Sequence, residues 1–230
     1  LQFFVVDNFL ENYSRVLYKK AGFFNEITAL KMFLNSFIMA TGIATLSVVT
    51  SLMAAYALVY FRIKYASLFF WLIFITLLVP LELRIMPSYL VMSKLGLVNS
   101  YIGLILPISA SAIATFFFRQ FYKSIPEELL EAAKLDGTGS WKFFIDFLVP
   151  LSKTMIAAVF IFMFVFGYNQ YLWPLIMTTT EQYWTVVMGL KTMYGSISDR
   201  FAFVIMSMVP PVIIIIFLQR WFIQGIFQNK

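Results

Sequence analysis

In a chain of 230 residues, 61% hydrophobic and 19% aromatic side chains against only 12% charged ones leave too little polar surface for a soluble domain, so lipid must act as its solvent. Seventeen Lys and Arg against eleven Asp and Glu give a net charge of +6, but the basic residues are scattered at the ends of apolar runs, which sets topology and excludes nucleic acid as a partner. With no Cys and no His, a disulfide framework, a thiolate metal site and a histidine-based catalytic group are excluded, and the composition argues against an enzyme.

Residues 1–33 mix aromatics with Asp7, Glu11, Arg15, Lys19, Lys20, Glu26 and Lys31. No uncharged run there reaches the roughly 20 residues that a spanning helix needs, so the segment reads as an amphipathic, non-spanning lead. Leu34 to Tyr60 is the first run long enough to cross. Within it Ser47, Ser51 and Ala55 recur every fourth residue, a stripe that admits a close helix neighbour or is simply tolerated in lipid. Ser67 to Val79 reads as the second span, ending at Pro80, with Glu82 and Arg84 just beyond it. Met86-Pro87 is expected to break the helix, and Ser88 to Ser100, with Lys94, Gly96 and Asn99, to form a short polar interlude.

Tyr101 to Phe118 reads as the third span, and Gly103, Pro107, Ser111 and Thr115 at fourfold spacing mark a face expected to lie against protein. Thr154 to Trp173 is the fourth. Its alternating Phe160, Phe162, Phe164 and Phe166 mimic a strand, but the uninterrupted apolar length favours a helix. Residues 177–200 are polar enough to lie outside, with Tyr183, Trp184 and Tyr194 placed like an interfacial aromatic belt. Phe201 to Leu218 is the fifth span, which Pro210-Pro211 should kink. The expected fold class is therefore an all-α integral membrane protein, a polytopic helical bundle of five spans forming one membrane domain over 34–225, with a tail at 226–230.

Between the third and fourth spans, residues 124–150 hold Glu127, Glu128, Glu131, Asp136 and Asp146 in a loop too polar for lipid. Pro126 suits a helix start, Glu127 and Glu128 complement the positive end of the helix dipole, and Gly137 is a natural stop. After Thr138-Gly139, Ser140 is placed to cap a second short helix from Trp141, which Pro150 should interrupt. The spacing predicts a helix-turn-helix elbow.

The order Glu131-Ala132-Ala133, three residues, Gly137, nine residues, then two apolar residues one apart, Phe147 and Val149, followed by Pro150 resembles the EAA signature of the permease subunits of ATP-binding-cassette (ABC) importers, Glu-Ala-Ala, three residues, Gly, nine residues, Ile-x-Leu-Pro. Phe147 and Val149 stand where that signature has Ile and Leu, apolar for apolar. Tyr168-Asn169-Gln170-Tyr171-Leu172-Trp173-Pro174-Leu175 is similar to the Asn-x-x-Leu-Trp-Pro-Leu element of the carbohydrate-uptake branch. Phe69 to Leu77, Pro80 to Ile85 and Phe118 to Phe121 resemble the glycerol-3-phosphate permeases within that branch.

The resemblance implies a MetI-like permease fold, usually of six spans, so that a first span upstream of Leu1 is expected and the lead 1–33 lies outside the cytoplasm. It also implies that Glu131, Ala132, Ala133, Asp136, Gly137 and Pro150 couple the chain to a cytoplasmic ATPase. The implied partners are a second permease subunit, two ATPase subunits, an extracytoplasmic solute-binding protein and the lipid of a bacterial inner membrane. No Gly-x-x-x-x-Gly-Lys loop occurs, so the chain is expected to carry no cofactor, with ATP and Mg on the partner ATPase.

With the elbow inside, the basic residues obey the positive-inside rule: Arg62, Lys64, Arg119, Lys123, Lys134, Lys142, Lys153, Arg220 and Lys230 fall on that side, against Arg84, Lys94, Lys191 and Arg200 outside. Asn169 and Gln170, costly in hydrocarbon, are expected either to bond another helix or to line the substrate path, and Trp173 to anchor at the interface. Arg84 is a candidate contact for an anionic phosphate ester, or an interfacial topology charge. The substrate is expected to be sn-glycerol-3-phosphate or a glycerophosphodiester, alternatively a sugar, oligosaccharide or polyol. A secondary transporter would place ionisable groups at mid-membrane, where these spans have none.

Overall fold

The computed structural model describes residues 9–18, 27–61, 63–135, 137–194 and 196–227, and among them every regular element is helical. In chain order these include α1 (Phe9–Tyr18), α2 (Ala29–Tyr60), α3 (Ala66–Ile75), α4 (Leu81–Lys94), α5 (Tyr101–Ser109), α6 (Ala112–Ser124), α7 (Glu127–Leu135), α8 (Ser140–Phe143), α9 (Val149–Leu151), α10 (Lys153–Tyr168), α11 (Leu172–Met177), α12 (Val186–Thr192) and α13 (Ile197–Phe227). By length and composition, α2 and residues Ile197–Gln219 of α13 are each able to cross a membrane, and three bent pairs of shorter helices raise the possible spans to five. Each overlaps one of the five segments read from the sequence, although one bent pair adds Glu82–Lys94 and another adds Ser140–Leu151 of the elbow.

The chain separates into two compact units, the first comprising Leu1–Ile43, Ile85–Ile108 and Phe164–Ile214 and the second Ala44–Arg84, Ser109–Met163 and Ile215–Lys230. In the first unit, Met32, Met39, Ala40 and Ile43 of α2 are buried, as are Leu104, Phe164, Met177, Met188 and Phe203. Gly103 brings α5 and α11 together, because a Cβ there would collide with the Leu97 carbonyl and sit 2.6 Å from Met177 Cε. Trp173, expected at an interface, is instead only 1% exposed, and its indole N–H donates to the Leu104 carbonyl at 3.2 Å. That internal acceptor removes the indole's need for interfacial water.

The amphipathic lead contains α1, tied to the first turn of α13. Arg15 Nη2 donates to Asp199 Oδ1 at 2.7 Å and to Asn12 Oδ1 at 2.8 Å. Ser196 caps α13: its Oγ accepts from the Asp199 amide at 3.1 Å and donates to Asp199 Oδ2 at 2.7 Å, a reciprocal arrangement that satisfies helix-start groups.

Three expectations are corrected. Met86-Pro87 does not break the chain, because α4 runs through Pro87 to Lys94. A proline removes a single backbone donor, and surrounding structure can hold the remaining turns. The third span is instead broken between α5 and α6, where Ser111 leaves helical geometry and its Oγ accepts from the Ala114 amide as an N-cap. The fourth stops at Tyr168, with α11 starting afresh at Leu172.

In the second unit the stripe of Ser47, Ser51 and Ala55 is buried. Ser47 Oγ donates to the Ser109 carbonyl at 2.7 Å and Ser51 Oγ to the Ser111 carbonyl at 3.2 Å, while Thr115 Oγ1 donates to Ser51 Oγ at 3.1 Å. The stripe therefore supplies donors for a helix break as well as room for close approach. Pro210-Pro211 lies inside α13, which remains one helix through it. Pro211 has no N–H for the Ser207 carbonyl one turn earlier, and Tyr168 Oη donates to that carbonyl instead at 3.0 Å.

Asn35, fully buried, donates through Nδ2 to the carbonyls of Gln182 and Trp184, both at 2.8 Å, and its Oδ1 accepts from Tyr101 Oη at 2.7 Å. The neighbouring Ser36 Oγ accepts from the Val186 amide at 2.8 Å, so adjacent residues of α2 pin the loop before α12. Asn35→Leu is expected to cost about 2–4 kcal/mol by removing three part-buried hydrogen bonds at once. Thermal unfolding of the detergent-purified chain should show the loss, with faster protease cleavage within residues 179–184.

Candidate functional site

The polar elbow is the one acidic, solvent-facing feature of the second unit that the sequence singled out. Its first helix, α7, starts with Glu127 and Glu128 in the first turn, where carboxylates meet unpaired backbone N–H groups. Glu127 and Glu131 are four residues apart and both exposed, as is Glu128, so one face of α7 is acidic. Ala132 is exposed, whereas Ala133 is 2% exposed and marks the face turned inward.

Gly137 ends α7 with φ +69, the left-handed conformation that glycine tolerates best. The Thr138 amide donates to the Ala133 carbonyl at 2.9 Å, closing a Schellman turn around Gly137. A Cβ at Gly137 would meet nothing within 4 Å, so its requirement is conformational, not steric. Asp136 lies outside the described residues, as do Arg62 and residues 228–230.

The second arm differs from expectation at both ends. Gly139, not Ser140, occupies the cap position, and Ser140 is the first residue of α8. Pro150 does not interrupt the run: α8 widens into a π-helical stretch, Phe144–Leu148, which leads directly into α9. In that widened turn the Val149 amide donates to the Phe144 carbonyl, and Pro150, which has no N–H, follows without ending the helix. The break falls at Ser152, where the run Ser140–Leu151 turns by 74° into α10. There Ser152 Oγ donates to the Leu148 carbonyl at 2.6 Å, occupying an acceptor at the bend.

Two functional candidates were not picked out from sequence. Leu135 is 89% exposed and Trp141 is 62% exposed, one on each side of the Gly137 turn in sequence. A large apolar residue within a polar loop is the signal that marks them, and with Glu131 they give the elbow both charge and apolar contact area. Pro150 is exposed further along the same arm.

The other sequence candidates lie apart from the elbow in the chain. Arg84 is exposed in α4, and no ion pair joins it to Glu82 among the described residues. Asn169 and Gln170, in the first unit, follow the last turn of α10. Asn169 Nδ2 donates to the Val165 carbonyl at 2.9 Å and Gln170 Nε2 to the Phe166 carbonyl at 3.3 Å. They satisfy the end of their own helix, and among the described residues these amide nitrogens make no interhelical bond.

Apolar helices long enough to span, with an exposed acidic elbow between them, define a helical membrane protein with a polar loop. The chain belongs to the family of binding-protein-dependent transport system inner membrane components, whose model matches residues 47–228. It is thus a transport subunit, not a catalyst.

Among its relatives, the sn-glycerol-3-phosphate transport system permease protein UgpE of Yersinia pestis bv. Antiqua (strain Antiqua) is 45% identical over 205 residues, covering 86% of this chain and 73% of the relative. The protein of the same name from Brucella melitensis biotype 1 is 40% identical over 230 residues, covering 97% of this chain and 82% of the relative. A crystal structure of a bacterial ABC transporter involved in import of the acidic polysaccharide alginate matches at a TM-score of 0.77 and 22% identity, over 92% of this chain and 79% of that one. That likeness shows the expected all-α permease fold.

Gly137→Ala is expected to destabilise the elbow turn by about 1 kcal/mol, because the left-handed conformation penalises a Cβ. Hydrogen exchange at the Thr138 amide should accelerate roughly fivefold, with a smaller effect for Gly137→Asn, since asparagine tolerates this conformation better. Equal rates in all three chains would show that the turn does not depend on the glycine.

Proposed function

We propose that this chain forms part of the translocation path of an ABC importer for sn-glycerol-3-phosphate or related glycerophosphodiesters, with a second permease subunit completing the path. The carrying observation is the 45% identity over 205 residues to a protein named for sn-glycerol-3-phosphate transport. In this reading an extracytoplasmic solute-binding protein delivers the solute, and two cytoplasmic ATPase subunits bind ATP and Mg and hydrolyse the nucleotide. The lead 1–33 lies outside, the elbow 124–150 inside, and residues 34–225 cross the inner membrane several times.

The exposed Glu131, Ala132, Gly137 and Pro150, with the inward Ala133 and with Asp136, form the surface that meets the ATPase. Leu135 and Trp141 supply the apolar part of the contact and Glu131 the hydrogen-bonding part, so closure of the ATPase dimer pushes on the elbow and turns the helices beyond it. Arg84, exposed and without an ion-pair partner among the described residues, offers a guanidinium to the phosphate ester. Asn169 and Gln170 each spend one amide N–H on an α10 carbonyl, so the side-chain oxygen and the second N–H are what they present to a solute hydroxyl.

The test is uptake of radiolabelled sn-glycerol-3-phosphate into vesicles carrying the assembled importer, with ATP inside, binding protein outside and maltose as parallel substrate. Uptake should require both ATP and binding protein and should be abolished by Glu131→Arg. Arg84→Gln should raise KM for the phosphate ester roughly three- to tenfold, the loss of one charge-assisted hydrogen bond. Uptake of the sugar alone would eliminate the phosphate-ester reading and the role of Arg84 while leaving the importer class intact.

A further inference from the structure

The second unit contains a cluster of tyrosines and phenylalanines that the transport reading above does not use. Tyr56 and Tyr60, one turn apart near the end of α2, both contact the second arm of the elbow. Tyr56 Oη donates to the carbonyl of Ser140, the first residue of α8, at 2.7 Å. The Tyr56 ring lies 5.0 Å from that of Phe144, and the Tyr60 ring 5.6 Å from that of Phe143 in an edge-on arrangement. Tyr60 also meets the ring of Tyr122 on α6 at 5.9 Å. Phe143, Phe144, Tyr56 and Tyr122 are all buried.

These contacts have a directional consequence. A backbone carbonyl in the first turn of a helix normally accepts from an amide one turn on, and here it also takes a side-chain donor from another helix. The hydrogen bond fixes where along α2 the start of α8 sits, while aromatic pairs on successive residues, Phe143 and Phe144, resist rotation about the arm. By contrast, the far end of the same arm is a joint: the π-helical stretch Phe144–Leu148 and the 74° turn at Ser152.

We infer that Tyr56 is a positioning residue for coupling, locking the elbow's second arm to the end of α2 so that a push on the elbow moves that part of α2 with it and bends the chain at Ser152. This rests on the proposed role of the elbow as the ATPase contact. Tyr56 touches neither solute nor nucleotide. It acts through Ser140, and Tyr60 backs it through Phe143 and Tyr122.

The test uses the assembled importer in vesicles and measures solute taken up per ATP hydrolysed. Tyr56→Phe keeps the ring and removes only the hydroxyl. It should lower that ratio roughly two- to tenfold, the worth of one hydrogen bond, while the ATPase subunits still co-purify and binding protein still stimulates hydrolysis. A merely structural role would lower assembly and hydrolysis together and leave the ratio unchanged, which would overturn the inference.

These 230 residues contain no cysteine, which suits a second measurement, in which Tyr60→Cys and Phe143→Cys are joined by a short, reductively cleavable bis-methanethiosulfonate reagent in an importer otherwise free of cysteine. A rigid tie predicts that cross-linked importer retains uptake, and arrest reversed by cleaving the linker would overturn it. If Glu131→Arg leaves uptake and stimulated hydrolysis intact, the elbow reading itself fails. If Glu131→Arg abolishes uptake but Tyr56→Phe keeps the normal ratio, only the tie fails.

Discussion

Hydrocarbon offers no hydrogen bonds, so each backbone group released at a break in a helix must find a partner within the protein. This requirement governs both units. Ser47 and Ser51 donate to the carbonyls of Ser109 and Ser111 where α5 gives way to α6. Tyr168 serves the Ser207 carbonyl that Pro211 cannot, and the side chains of Asn169 and Gln170 close the last turn of α10. Hydroxyl and amide groups that could suggest a polar pathway are therefore, in large part, the fastenings of irregular helices. Each bond also fixes the register of the helices it joins, since a donor one turn away would leave the carbonyl unmet.

The elbow obeys the opposite solvent. Its acidic face on α7 is exposed, its turn is closed by a Schellman hydrogen bond, and its second arm is held from beneath by buried rings at Phe143 and Phe144. In the proposed function the elbow receives force from a soluble ATPase, which calls for this combination of an open outer face and a firmly seated inner one. The widened turn before Pro150 and the bend at Ser152 place compliance further along the chain, away from the seated end. In the proposed function, stiffness near Ser140 and a joint at Ser152 are complementary: without the first the push is absorbed locally, and without the second it has nowhere to turn.

Family membership and fold place the chain in an importer's membrane component, and the two kinds of likeness carry different weight. The alginate importer shares the arrangement of helices at 22% identity, which constrains architecture and leaves solute chemistry open. The 40–45% identity to proteins named for sn-glycerol-3-phosphate transport is what motivates a phosphate-ester reading. Among the side chains proposed for the path, Arg84 alone brings a positive charge, so it bears most of the distinction between an anionic ester and a neutral sugar.

Composition and spacing by themselves determined that the protein is helical and lipid-embedded, roughly where its five apolar segments lie, and that an acidic elbow, its first helix ending at Gly137, interrupts them. These follow from local rules: apolar length, the preference of acids for helix starts and the left-handed tolerance of glycine act over a turn or two of chain. Only the tertiary structure decided that Pro87 and Pro150 stay within helical runs while Ser111 and Ser152 mark the breaks, that Trp173 is core, and that Leu135 and Trp141 face outward. Those outcomes depend on distant partners. Trp173 is buried because the Leu104 carbonyl accepts its N–H, and the break at Ser111 is tolerated because Ser51, 60 residues earlier, supplies a donor. A proline or serine carries the same local cost wherever it occurs, and whether the helix continues depends on whether the folded protein meets the group left unpaired.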